Sequence, residues 1–99
     1  MSMGVMMFVH IVFFNFKLLT DRKEAKQRLE GLVNTVPSLR TVVVGLDEVR
    51  SDRSWDMVLI TRFDDQAGYE AYAVEPTHLE VVTWLKSVIH ASATVDYAV

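Results

Sequence analysis

The stretch Met7-Phe8-Val9-His10-Ile11-Val12-Phe13-Phe14-Asn15-Phe16-Lys17 reads as a β-strand rich in β-branched and aromatic residues, and it decides the fold. Side chains of a strand alternate sides. Phe8, His10, Val12, Phe14 and Phe16 therefore share one face, and Val9, Ile11, Phe13 and Asn15 share the other. Both faces are mostly apolar, so this strand belongs in the middle of a sheet that is covered on two sides.

Downstream, Thr20-Asp21 with Glu24 three residues past Asp21 reads as a capping box that opens a helix. Ala25, Leu29, Leu32, Val33 and Val36 form its apolar stripe, Arg22, Lys23, Lys26 and Arg28 its solvated side, and Pro37 ends it near Val36. A second strand is expected over 40–46 and a third over 55–63, joined by the polar loop 47–54. The third strand places Trp55, Met57, Leu59 and Phe63 on one side and Val58 and Ile60 on the other. Asp64-Asp65 caps a short helix carrying Tyr69, Ala71, Tyr72 and Ala73. Glu75-Pro76 breaks that helix and starts another, whose stripe is His78, Val81, Val82, Leu85 and Ile89. A last strand over 91–99 sets Ala93, Val95, Tyr97 and Val99 against Thr94, Asp96 and Ala98, and His90 sits at the preceding helix's C-terminus, where it meets the helix dipole.

The order β-α-β-β-α-β, with its second helical region split, is the ferredoxin-like α+β arrangement: an antiparallel sheet with helices on one face. Strands one and three are central, and their second apolar face calls for a partner. A homodimer that pairs sheet to sheet is expected. Residues 1–99 are read as one domain, and folding buries roughly two thirds of the surface of an extended chain this long.

Composition narrows the chemistry. The chain is 51% hydrophobic and 23% charged with a formal net charge of −3, and mixed charges without a basic stripe argue against nucleic acid. The absence of cysteine removes disulfides, thiolate metal sites and a cysteine nucleophile. The apolar run over 3–16 is too short to span a bilayer and lacks the features of a signal peptide, so no membrane association and a cytoplasmic location are expected. The methionine-rich start reads as initiator residues plus strand packing. Neither a G-x-S-x-G elbow nor a glycine-rich phosphate loop is present, and no cofactor is expected. His10, His78 and Glu75 offer metal-ligand chemistry, but without a local ligand pair such as H-E-x-x-H no metal is expected.

The candidate site is built from His10, Tyr72 and His78. His78 begins an apolar stripe that faces the sheet, Tyr72 lies on the helix before it, and His10 joins them if its face is the helix-covered one. Imidazole and phenol suit abstraction of a carbon-bound proton next to a polarised carbonyl. Taken singly, each histidine also suits a hydrogen-bonded group at the core edge, and Tyr72 a packing residue.

These residues carry a resemblance. The run His10 to Lys17, Val36-Pro37, Trp55-Asp56-Met57-Val58-Leu59, Phe63-Asp64-Asp65, Tyr69, Tyr72, Pro76-Thr77-His78 and Val95-Asp96-Tyr97 together resemble the stress-responsive A/B barrel, or Dabb, domain of the dimeric α+β barrel superfamily. The resemblance implies a ferredoxin-like protomer paired into a dimeric α/β barrel. One plant branch comprises polyketide cyclases that perform an intramolecular aldol condensation. By that likeness His78 is the catalytic base, Tyr72 its polarising partner, and His10 lines the pocket, with Met57, Tyr69 and Val82 as further substrate-binding positions. Two positions depart from that branch: Glu75 replaces a histidine before the proline, and Met57 replaces a pocket histidine. The expected function is a homodimer with a pocket for a hydrophobic small molecule and aldol-type cyclase or lyase chemistry. The alternatives are a non-catalytic binding or stress-protective dimer and a cofactor-independent monooxygenase.

Overall fold

Strand β1, Phe8–Phe16, is hydrogen-bonded along both edges, antiparallel to β3 (Met57–Phe63) on one side and to β4 (Ile89–Ala98) on the other. Strand β2 (Thr41–Leu46) pairs with the far edge of β3, so the sheet order is β2-β3-β1-β4. These relations come from a computed structural model that describes residues 7–99; the methionines at 1, 3 and 6 lie outside the described residues. Three helices, α1 (Arg22–Gly31), α2 (Gln66–Ala73) and α3 (Pro76–Val88), complete the ferredoxin-like α+β protomer. Among the described residues no helix is long and apolar enough to cross a membrane.

The alternation of β1 divides the molecule. Phe8, Val12, Phe14 and Phe16 join Met57, Leu59 and Phe63 of β3 in the core, against Ala25 and Leu29 of α1, Tyr72 of α2, and Val81 and Leu85 of α3. Burying each of the valine, leucine, methionine and phenylalanine side chains among these contributes roughly 1.5–3 kcal/mol. The opposite face carries a row that crosses all four strands in register, Val43, Ile60, Ile11 and Val95. Val43 is 48% exposed and Val95 56%, so an apolar sheet surface remains open to solvent.

Element ends follow local chemistry, and several differ from expectation. Asp21 does not cap α1. It already has helical dihedrals (φ −75, ψ −9) because the 3₁₀ turn Leu19–Asp21 precedes it, and its side chain makes no capping bond. Glu24 instead pairs with Arg28 one turn on, at 2.6 Å. Helix α1 tightens into a second 3₁₀ turn, Leu32–Asn34, ahead of Pro37. Asp65 does cap α2, accepting from Gly68 N at 2.8 Å, and Pro76 is the first residue of α3. Strand β4 begins at Ile89, two residues before the expected start. Ile89 has extended dihedrals (φ −94, ψ 155), so Ile89 and His90 leave the helix, and His90 is an exposed strand residue instead of a helix-terminal one.

Strand β3 starts at Met57 instead of Trp55 because Asp56 is occupied elsewhere. Its buried carboxylate accepts from Phe16 N at 2.7 Å and from Arg50 Nη2 at 2.7 Å, while its carbonyl accepts from Arg22 Nη1 at 3.1 Å. One side chain and its backbone thus join the end of β1, the β2–β3 loop and the start of α1. Burial works to raise this carboxyl, but the Phe16 amide and the Arg50 and Arg22 guanidiniums outweigh it and hold it below its usual value. The stabilisation is therefore fully present above the ordinary carboxylate range, about pH 4, and is lost as the pH falls through it. Asp56→Ala leaves the Phe16 amide without its acceptor and Arg50 with Asp47 as its remaining carboxylate, and should lower unfolding free energy in urea by about 1–3 kcal/mol. An unchanged urea midpoint would contradict this role.

Candidate active site

His10 sits on the helix-covered face of β1, as its place in the alternation requires, and in register it faces Asp96 on β4. Its Nδ1–H donates to the Asp96 carboxylate. That bond fixes the ring orientation and leaves Nε2 as the second polar atom. The His10 ring packs on Tyr69 with centroids 4.8 Å apart and stands edge-on to Tyr72 at 6.3 Å.

Both tyrosines come from α2, three positions apart, so they project from one side of that helix toward the sheet. Phe63 of β3 is fully buried between them, at 5.7 Å from Tyr69 and 5.1 Å from Tyr72. Tyr72 is itself 1% exposed, and burial, with Tyr69 nearby, pushes its phenol far above the usual value. Tyr69 is raised by burial and by Asp96. Both therefore stay protonated near neutral pH and remain hydrogen-bond donors. Among the described residues the Tyr72 hydroxyl has no hydrogen-bond partner, and its oxygen is not one of the fully buried, unpaired atoms.

His78 lies in the first turn of α3. The turn is positioned by Glu75, whose carboxylate accepts from Thr77 N at 2.9 Å and Thr77 Oγ1 at 2.5 Å, and by Pro76. The Thr77 bonds hold the Glu75 carboxyl below its usual value. The Glu75 carboxylate thus serves the helix end and takes no part in lining the His78 cavity. The His78 ring packs on Tyr72 with centroids 4.0 Å apart. Its Nδ1 is 3.3 Å from the Ala73 carbonyl, an acceptor only, so Nδ1 carries the proton and the Nε2 lone pair is free in the neutral ring. Burial lowers the pKa of His78 and the positive potential of His10 adds to this. The Ala73 carbonyl and Glu75 pull the other way without cancelling it.

Together these groups line a cavity of about 330 Å³ between sheet and helices, at the small end for a ligand site. His10, Tyr69, Tyr72, His78 and Val82 all face it, with Val12, Leu29, Leu59 and Leu85 as hydrocarbon wall. Met57 does not. Opposite Phe14, it is 1% exposed in the core and lines a separate hollow with Leu46 and Trp55. The structure thus places Met57 outside the cavity that holds His10 and His78. The sequence reading passed over Asp96, Lys86, Ser92 and Thr94. The last strand's alternation already put Thr94 and Asp96 on one face, but only the β1–β4 register shows that this face meets His10.

The architecture defines a ferredoxin-like domain with a histidine–tyrosine cavity. Residues 8–99 match the stress responsive A/B barrel (Dabb) domain, and the chain belongs to that family. Among solved structures it is similar to a dimeric protein of unknown function and ferredoxin-like fold from Bacteroides fragilis, with 26% identity, TM-score 0.84, and coverage of 94% of this chain and 96% of that one. A dimeric ferredoxin-like protein of unknown function from Jannaschia sp. shares 27% identity at TM-score 0.78, over 94% and 99% of the two chains. A hydroxynitrile lyase from Passiflora edulis shares the fold at 18% identity and TM-score 0.82, over 94% and 93%. No curated protein sequence matches the chain.

The lowered pKa of His78 has a measurable sign. In an NMR titration its ring should stay neutral, with the proton on Nδ1, down to a pH below the ordinary histidine value of about 6.5. The folded state then holds fewer protons than the unfolded one, so this contribution to stability is full above about pH 6.5 and is lost as the pH falls. A His78 midpoint above that of an unfolded histidine would overturn the description.

Proposed function

We propose that the cavity binds a small carbonyl compound and that His78 and Tyr72 generate its enolate. His78 Nε2 takes a proton from the carbon beside the carbonyl, and the Tyr72 hydroxyl donates a hydrogen bond to the oxygen on which negative charge develops. His10, held by Asp96, orients the carbonyl compound from the sheet side. The enolate is the nucleophile for aldol-type carbon–carbon bond formation, and the reverse path cleaves such a bond. The observation that carries this reading is the His78 imidazole with its Nδ1 3.3 Å from Ala73 O and its ring 4.0 Å, centroid to centroid, from the Tyr72 phenol in one cavity.

The working unit is a homodimer in which the open faces of two sheets cover each other. The row Val43, Ile60, Ile11 and Val95 on the face without helices, exposed at Val43 and Val95, supports this, as does the dimeric description of two similar proteins above 25% identity. Light scattering at micromolar concentration should give twice the chain mass, and the mass of a single chain would contradict it.

The chemistry is tested by following hydrogen–deuterium exchange at the α-carbons of 2-nonanone by NMR. Wild-type protein should accelerate exchange above the buffer rate. His78→Ala should reduce the acceleration by about 10²–10⁴-fold with an unchanged circular dichroism spectrum. Tyr72→Phe, which keeps the base and removes the donor, should cost about 10²–10³-fold. Exchange that never exceeds buffer, or that survives in His78→Ala, would leave a binding protein without this activity.

A further inference from the structure

The cavity extends well past His78 and Tyr72, and three elements run along it side by side. On β1 its lining passes from His10 to Phe14, and the β4 residues opposite these two are Asp96 and Ser92. Four strand residues span ~13 Å. On α3 the lining passes from His78 through Val82 and Leu85 to Lys86, eight residues or ~12 Å along the helix. The lengths agree, so the hollow is a trough with two ends.

The ends differ in chemistry. One holds the imidazoles and phenols, and the middle is hydrocarbon apart from Thr94, which is opposite Val12. At the other stand Lys86, an exposed residue, and Ser92, opposite Phe14. Among the described residues Lys86 has no ion-pair or hydrogen-bond partner, and no Asp or Glu lines the trough. The one carboxylate on the same face of β4 is Asp96, which is bonded to His10 at the opposite end. A cation with a serine hydroxyl at the same end, at the mouth of a largely apolar trough, matches a carboxylate.

We propose that the trough selects an elongated, largely apolar carboxylic acid that carries its reactive carbonyl at the far end. Lys86 and Ser92 hold the carboxylate. The hydrocarbon chain lies along Val82 and Leu85, and the carbonyl reaches Tyr72 and His78. This selectivity rests on the reading of His78 and Tyr72 as the reactive end, and it names the substrate class of that same site.

The test compares the straight-chain acid 10-oxoundecanoate with its methyl ester by titration calorimetry at low salt. The acid should bind wild-type protein roughly tenfold more tightly than the ester, since the charged contact sits at a partly exposed mouth. Added salt should shrink the preference. Lys86→Met, which keeps the apolar stem, should bring the acid down to about the ester's affinity, with the acid losing far more than the ester. Equal binding of acid and ester, a preference that persists in Lys86→Met, or binding of neither would overturn the proposal. Deuterium exchange at the ketone separates the two readings. Exchange on both compounds without a preference for the acid defeats the carboxylate selectivity alone, whereas a Lys86-dependent preference without exchange defeats the enolate chemistry alone.

Discussion

The structure depends on β1 being hydrogen-bonded along both of its edges. A strand held on two sides has no freedom to rotate, so each side chain is committed to one of two faces. A slip of one residue would carry His10 out of the cavity and bring Ile11 in. The β1–β3 and β1–β4 registers therefore fix more than the core. They bring His10 opposite Asp96, put Phe63 under both tyrosines of α2, and leave the row through Ile11 and Ile60 on the uncovered face. The apolar excess in the composition belongs to that second face as much as to the interior.

The two histidines of the cavity are held alike and surrounded differently. Each gives its Nδ1 proton to an oxygen, which orients the ring and leaves Nε2 for a ligand. For His10 the oxygen is a carboxylate on a half-exposed strand position. For His78 it is a backbone carbonyl, and the ring is half-buried against Tyr72, so water gives less support to its charged form. Burial acts on both members of the His78–Tyr72 pair in the same sense, because each loses its charged form: the imidazole stays a base and the phenol stays a donor. A basic nitrogen and a hydrogen-bond donor carried on two packed rings, next to a hydrocarbon wall, are the elements that enolate formation needs.

Most of the fold was legible from alternation and punctuation. Period two in β1 and β3 separated the faces correctly, and Glu75-Pro76 marked the break between α2 and α3. The stripe from His78 through Val81 and Leu85 set which side of α3 meets the sheet. What sequence could not show was decided by tertiary partners. Asp21 and Glu24 have the spacing of a capping box, yet a preceding 3₁₀ turn and Arg28 satisfy them differently. Met57 shares a face with His10, but it is packed into the core opposite Phe14 and lines another hollow. Asp96 and Lys86 became site residues only through the β1–β4 register and the path of α3 along the trough.

The central claim is that His78 and Tyr72 convert a bound carbonyl compound to its enolate, and the most direct measurement is the ultraviolet difference spectrum of acetylacetone bound at neutral pH. The account predicts the enolate absorption in the wild-type cavity and only the unionised diketone bound to His78→Ala. An unionised diketone in the wild-type protein, or an enolate band of equal strength without the His78 imidazole, would contradict it.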